Sequence, residues 1–194
     1  MARALNVRGF RGPLNLIPNF FTALRVFVCP YLAWLLWTRQ YRLAIVVIFA
    51  AGMTDIFDGL AARLLKTPSR FGEVLDPIAD KILMGTVFLT LTFTGAIEWW
   101  LALIVIGRDV GILLAAGAAW LGGQKVRRFP PSVWGKMSTF LQIAFVMYRM
   151  GYLANIVNSK PSDVLKWAVA FLAVLSATDY SIRYFSSPEP SPEK

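Results

Sequence analysis

Four aspartates stand close together in an otherwise apolar chain. Asp55-Ile-Phe-Asp58 and Asp76-Pro-Ile-Ala-Asp80 lie among segments with the length and apolarity of membrane spans. A carboxylate at membrane depth costs about 2.5–3.5 kcal/mol at a helix centre on insertion scales. Four together ask for a positively charged ligand. On a helix, Asp55 and Asp58 project about 60° apart, and Asp76 and Asp80 about 40°, so each pair shares one face. Between the pairs, Lys66-Thr-Pro-Ser-Arg70 carries turn chemistry, because proline disfavours helix before it and serine bonds nearby backbone. Helix, turn and second helix would gather the pairs into one cluster. Oxygen-only side chains suit one or two hard divalent cations. Two such ions about 3.5–4 Å apart can clamp a pyrophosphate and stabilise in-line displacement at phosphorus.

The surrounding residues fit that chemistry. Gly59, directly after Asp58, and Gly72 remove side chains where a ligand could approach. Arg63 follows Gly59 by one helical turn, within reach of a phosphate near the ions. The chain has no histidine, which excludes histidine-based zinc sites, Ser-His-Asp triads and imidazole bases. Any metal then sits on oxygen, favouring Mg²⁺, Mn²⁺ or Ca²⁺, and any general base is most simply a carboxylate. Asp76 admits a plainer reading, an N-cap followed by Pro77 at the first helical position. The single Cys29 rules out an intramolecular disulfide and reads as a buried small hydrophobe.

The elements that must position these groups are apolar helices. The chain is 57% hydrophobic, with seven Trp and fourteen Phe, which predicts an all-α integral membrane protein. Six spans are expected at about 19–38, 42–65, 72–94, 97–121, 132–154 and 163–185, forming one transmembrane catalytic domain over 19–185. Residues 1–18 carry Arg3, Arg8 and Arg11 without an acid and read as an interfacial amphipathic segment, or alternatively as a short transit peptide. Residues 186–194 read as a disordered Pro/Ser-rich tail. The net charge of +9 is spread over short loops, which fits a membrane surface and argues against a nucleic-acid partner. Six spans put both termini on one side. The excess of Lys and Arg there makes that side the cytoplasm, so the aspartates would sit at the cytoplasmic ends of spans two and three.

Asp55-x-x-Asp58-Gly59-x-x-Ala62-Arg63, eight residues, then Gly72-x-x-x-Asp76-x-x-x-Asp80 resembles the full signature of the CDP-alcohol phosphatidyltransferases. All eight fixed positions and their spacings are present. The resemblance extends over most of the chain, since that family also has six spans and an N-terminal interfacial helix. It implies attack of a hydroxyl on the lipid-side phosphorus of a CDP-linked lipid, with CMP leaving. It further implies that Asp55, Asp58 and Asp76 hold two Mg²⁺ or Mn²⁺ ions. Asp80 would lie beside them as a further metal contact and as the catalytic base. Gly59, Ala62, Arg63 and Gly72 would shape the CDP-lipid pocket. A homodimer in the bacterial inner membrane is the matching expectation, with the site facing the cytoplasm and membrane lipids around it.

The acceptor is read from fewer residues. Ile17-Pro18-Asn19, Thr22 and Arg25 resemble the phosphatidylglycerophosphate and cardiolipin synthase branch. Arg25, Arg108 and Lys136 are candidates to hold an acceptor phosphate. Competing readings are a salt bridge from Arg108 to an acid such as Asp109, and snorkelling of Lys136 to the interface. The expected reaction joins the phosphatidyl group of CDP-diacylglycerol to glycerol 3-phosphate. Phosphatidylglycerol as acceptor, making cardiolipin, is the alternative; a divalent-cation transporter is the alternative of another class, and a non-catalytic scaffold a third. Gly107-x-x-x-Gly111-x-x-x-Ala115 is a small-residue stripe expected to pack within the chain, so the homodimer rests on the resemblance alone.

Overall fold

The structure, a computed structural model, describes the backbone of residues 16–65, 72–121 and 132–185. Within these, side chains are described for residues 25, 27–53, 78–115, 117 and 132–183. The described residues form six helices joined by turns, with no strand among them: α1 Leu16–Trp37, α2 Tyr41–Leu65, α3 Gly72–Phe93, α4 Trp99–Leu121, α5 Val133–Leu153 and α6 Asp163–Phe185. Each expected span has its helix, because each is an apolar run long enough to close its own backbone hydrogen bonds. One boundary moves. Residues 16–18, assigned to the interfacial segment, open α1 instead. The rest of that segment, the Lys66–Arg70 turn and the tail lie outside the described residues.

The main pairings run α1 with α2, α2 with α5, α5 with α6, α6 with α4, α4 with α3, and α3 with α1. That closes a ring, and it places α1 between the two helices bearing the aspartates. Short connections make successive helices antiparallel. The starts of α1, α3 and α5 therefore share one end with the aspartates, called here the acidic end. The opposite end carries the tight turns.

Three of those turns share one geometry. After α1, Arg39 and Gln40 donate their backbone N–H to the carbonyls of Leu36 and Leu35. After α3, Gly95 and Ala96 do the same to Thr92 and Leu91, and after α5, Asn155 and Ile156 to Tyr152 and Gly151. This is the paired closure of the last helical turn, and it needs a left-handed residue. Arg39, Gly95 and Asn155 supply it at φ 60°, 73° and 55°. Glycine takes that conformation without strain; arginine does not.

The interior has two halves. Toward the tight-turn end it is apolar: Leu32, Leu35, Leu36, Val87, Phe88, Leu91, Leu101, Val105, Phe145 and Met150 are all buried. Toward the acidic end, the buried residues include Arg25, Arg108, Asp109, Ser132, Ser138, Gln142 and Ser176. The exterior inverts the usual order. Large apolar side chains such as Phe27, Phe49, Leu103, Phe140 and Phe171 face outward all round the ring. Among the described residues, one stretch, Asp163–Arg183, is long and apolar enough by itself to cross a membrane; Phe27–Trp37 and Tyr41–Met53 are shorter apolar stretches.

The small-residue stripe of α4 departs from expectation. Gly107 and Gly111 are exposed, and a methyl added at either would meet nothing within 4 Å. The stripe packs against no described part of the chain. It faces outward because α4 turns its polar Arg108 and Asp109, together with Leu101 and Val105, toward α3, α5 and α6.

Candidate active site

The helix backbone carries the signature residues in two groups. Asp55, Asp58, Gly59, Ala62 and Arg63 lie in the C-terminal half of α2, and Gly72, Asp76 and Asp80 in the first turns of α3. Both groups are at the acidic end, on the two helices that flank α1. Because α3 starts at Gly72, Asp76 falls inside the helix, and the N-cap reading of Asp76 and Pro77 is corrected. The side chains of Asp55, Asp58, Ala62, Arg63 and Asp76, and the surroundings of Gly59 and Gly72, lie outside the described residues.

Asp80 is described, and it has a cationic partner from α1. Arg25 on α1 donates from Nη1 to Asp80 Oδ1 at 2.6 Å. The Arg25 side chain is 7% exposed and that of Asp80 52%. A buried guanidinium thus holds a half-exposed carboxylate, and the charge-assisted bond fixes its orientation. Sequence reasoning placed Arg25 on an acceptor phosphate and Asp80 at the chemistry; the fold joins the two directly.

Arg108 is committed elsewhere. Its side chain is 4% exposed, and Nη1 donates to Asp109 Oδ1 at 2.5 Å. Nη2 and Nε donate to Ser176 Oγ at 2.7 and 3.2 Å, and Nη2 reaches the Gly135 carbonyl at 3.4 Å. The same Asp109 Oδ1 accepts from Lys81 Nζ at 2.6 Å. Lys81 follows Asp80 in α3, so the carboxylate held by Arg25 and the ammonium held by Asp109 are adjacent residues. The Arg108–Asp109 ion pair weighed against the phosphate role is present. Arg108 ties α4 to α5 and α6, and Lys81 ties α3 to α4.

Lys136 is exposed on α5, one residue beyond Gly135. Gly135 itself is a point of close approach: a Cβ there would sit 3.2 Å from Tyr180 Cε2 and 3.4 Å from Arg108 Nη2. Beside it, Ser132 precedes α5 but does not cap it with its hydroxyl, which instead pairs with Asp179 of α6. Asp179 also accepts from Arg183 Nε at 3.0 Å.

Lys81, Gly135 and Ser176 were missed by sequence reasoning. Lys81 had a signal, an amine inside an apolar span and next to an aspartate. Ser176 had only its polarity within α6, and its partner lies 68 residues away.

Among the described side chains, the site shows Asp80 of α3 held by Arg25 of α1, at the end where the backbone of α2 and α3 carries the other signature positions. Comparisons with known proteins identify the family. The family model for CDP-alcohol phosphatidyltransferase matches residues 15–178. A probable phosphatidylglycerophosphate synthase of Mycobacterium tuberculosis is 31% identical over 181 residues, 89% of this chain and 83% of that protein. A Rickettsia typhi protein named CDP-diacylglycerol–glycerol-3-phosphate 3-phosphatidyltransferase is 30% identical over 176 residues, 84% of this chain and 94% of the relative. A probable cardiolipin synthase (CMP-forming) of Drosophila melanogaster is 38% identical over 112 residues, 57% of this chain; the match spans about a third (34%) of that relative's length. The chain belongs to the CDP-alcohol phosphatidyltransferase family, and it is an enzyme of that class.

Proposed function

We propose that the chain transfers the phosphatidyl group of CDP-diacylglycerol to the hydroxyl of glycerol 3-phosphate, releasing CMP. The observation that carries this acceptor is coverage. Relatives named for phosphatidylglycerophosphate synthesis align along nearly their whole length, whereas the cardiolipin synthase of Drosophila melanogaster aligns over a part. The higher identity over that part, 38%, favours phosphatidylglycerol as the second reading.

In this reading Asp80 takes the proton of the acceptor hydroxyl. The freed oxygen forms a bond to the lipid-side phosphorus as the bond from that phosphorus to CMP oxygen breaks. Arg25 aims the Asp80 carboxylate. Asp55, Asp58 and Asp76, with Asp80, would hold divalent Mg²⁺ or Mn²⁺, and the all-oxygen donor set and half-exposed Asp80 fit such an ion. When bound, the metal supplies charge neutralisation on the diphosphate. Gly59, Ala62, Arg63 and Gly72 border the nucleotide. Arg25 and Lys136 remain the candidates for an acceptor phosphate; Arg108 acts by positioning, its donors being directed to protein groups.

The same reading places the six helices across a membrane, both termini and the acidic end toward the cytoplasm. The outward-facing Phe, Trp and Leu side chains support it, since large apolar side chains exposed together in water invite association. A homodimer belongs to this proposal, and the open Gly107–Gly111 face of α4 supports it.

The test supplies purified protein with CDP-diacylglycerol and Mg²⁺ or Mn²⁺. Glycerol 3-phosphate and phosphatidylglycerol are offered separately, and CMP and the lipid product are identified. Turnover with phosphatidylglycerol alone would reverse the acceptor, and cation flux without CMP would end the reading. Asp80→Asn is expected to lower turnover about a hundred-fold or more, as for loss of a general base, while CDP-diacylglycerol still binds. Unchanged turnover removes Asp80 as the base.

A further inference from the structure

A second set of cations lies at the tight-turn end, far from the aspartates. There a cleft of about 400 Å³ opens between the α1–α2 and α5–α6 connections, lined by Arg39, Gln40, Tyr41, Arg42, Leu153 and Asn155 among others. Both arginines are exposed. Neither has a carboxylate within ion-pair distance among the described residues. The acids of this end, Glu98 and Asp163, are both held by Lys166. Arg149 at the same end is also engaged, donating to the Ala96 carbonyl at 2.7 Å and lying over the Tyr152 ring. Positive charge therefore remains at the cleft.

The cleft also holds its cations in place. Arg42 Nε donates to the Ala154 carbonyl at 3.1 Å, which anchors the guanidinium at the rim while its terminal nitrogens retain further donors. Arg39 sits at φ 60°, where its counterpart after α3 is a glycine. A side chain in that conformation costs about 1–2 kcal/mol, and the chain carries an arginine there all the same. The first turn of α2 lines the cleft as well and adds the partial positive charge of a helix start. Guanidinium pairs suit the tetrahedral, multi-oxygen geometry of phosphate.

We propose that the Arg39–Arg42 cleft binds a phosphate group, carried by an anionic lipid headgroup or present as free phosphate, at the end of the bundle opposite the catalytic aspartates. This site is separate from the acceptor assignment and stands whichever acceptor the enzyme uses.

The experiment uses the full chain purified in a non-ionic detergent. Native mass spectrometry measures binding of dioctanoyl-phosphatidylglycerol, with dioctanoylglycerol as the phosphate-free control and inorganic phosphate as competitor. Arg39→Gly is the informative variant, because it removes a guanidinium while relieving the backbone, so its Tm is expected to hold or rise. Each of Arg39→Gly and Arg42→Gln is expected to weaken phosphatidylglycerol binding about tenfold, the loss typical of a charged hydrogen bond. The aspartates are untouched, so the difference from wild type reads the cleft alone. Competition by inorganic phosphate at equal concentration identifies free phosphate as the ligand; absence of competition identifies the lipid-borne group. Equal binding by wild type and Arg39→Gly overturns the site, as does dioctanoylglycerol binding as tightly as the phosphatidyl form.

Discussion

Two three-residue ion clusters, one at each end of the bundle, have nearly the same geometry and opposite surroundings. At the acidic end, one carboxylate oxygen of Asp109 takes Lys81 and Arg108 at 2.6 and 2.5 Å. At the tight-turn end, Lys166 Nζ takes Glu98 and Asp163 at 2.6 and 2.7 Å. The first carboxylate is 10% exposed, whereas Glu98 and Asp163 are 44% and 80% exposed. Distance therefore does not rank them; access of water does. Removing one partner from a buried cluster leaves an uncompensated charge, while an exposed pair is replaced by solvent at little cost.

Four measurements sharpen or break this contrast. The largest effect belongs to Asp109→Asn, which leaves Lys81 and Arg108 facing each other without the buried carboxylate they share. It is expected to cost about 3–5 kcal/mol in unfolding stability in detergent. A cost below that of an exposed pair would show that the inner cluster is solvated. Ser176→Ala comes next, since Arg108 loses the acceptor of two N–H groups, and about 1–3 kcal/mol is expected. Ser176→Thr keeps the hydroxyl and should restore most of the loss; failure to do so would put the effect down to packing.

Lys166→Gln at the other end is expected to cost about 1 kcal/mol or less, and the cost should shrink as salt is added. A larger, salt-independent loss would erase the contrast. The smallest effect is a pH dependence. Burial pushes the Glu98 carboxyl up, but its bond to Lys166, its backbone hydrogen bond and the nearby Lys166 and Arg149 charges together hold it below the usual carboxylate value. A carboxylate depressed on folding stabilises above its unfolded pKa, and that stability is lost as pH falls through the folded value. Wild type should therefore lose slightly more stability than Glu98→Gln on acidification through the carboxylate range, and parallel curves would remove the pair from the account.

The helices themselves were legible, because each is an apolar run bounded by charged or turn residues, and the predicted spans match α2 to α6 within two residues. The signature aspartates stood out in the sequence because nothing in an apolar segment excuses them; of the four, the described side chains include Asp80, which meets Arg25. Side-chain partnerships were harder to read. Arg108 and Asp109 were visible as intruders in α4, yet the sequence offered no way to know that Ser176 and the Gly135 carbonyl would use up the guanidinium. Arg25 and Asp80 are 55 residues apart and met only because the ring seats α1 between α2 and α3. The stripe at Gly107 and Gly111 was misjudged because small residues mark a possible contact without saying which surface supplies it. Which face of α4 turned inward was decided by Arg108 and Asp109.

The clasped ends of α1, α3 and α5 bear on protein engineering. Residues 38–40 and 94–98 reverse the chain with no slack, so a spliced peptide there would tear open a helix terminus. The longer passage at 154–162 begins with its own clasp but then runs through exposed Asn158, Ser159 and Lys160. An epitope inserted between Asn158 and Ser159 should leave the bundle intact, and antibody access to it in sealed vesicles would report which compartment that end inhabits.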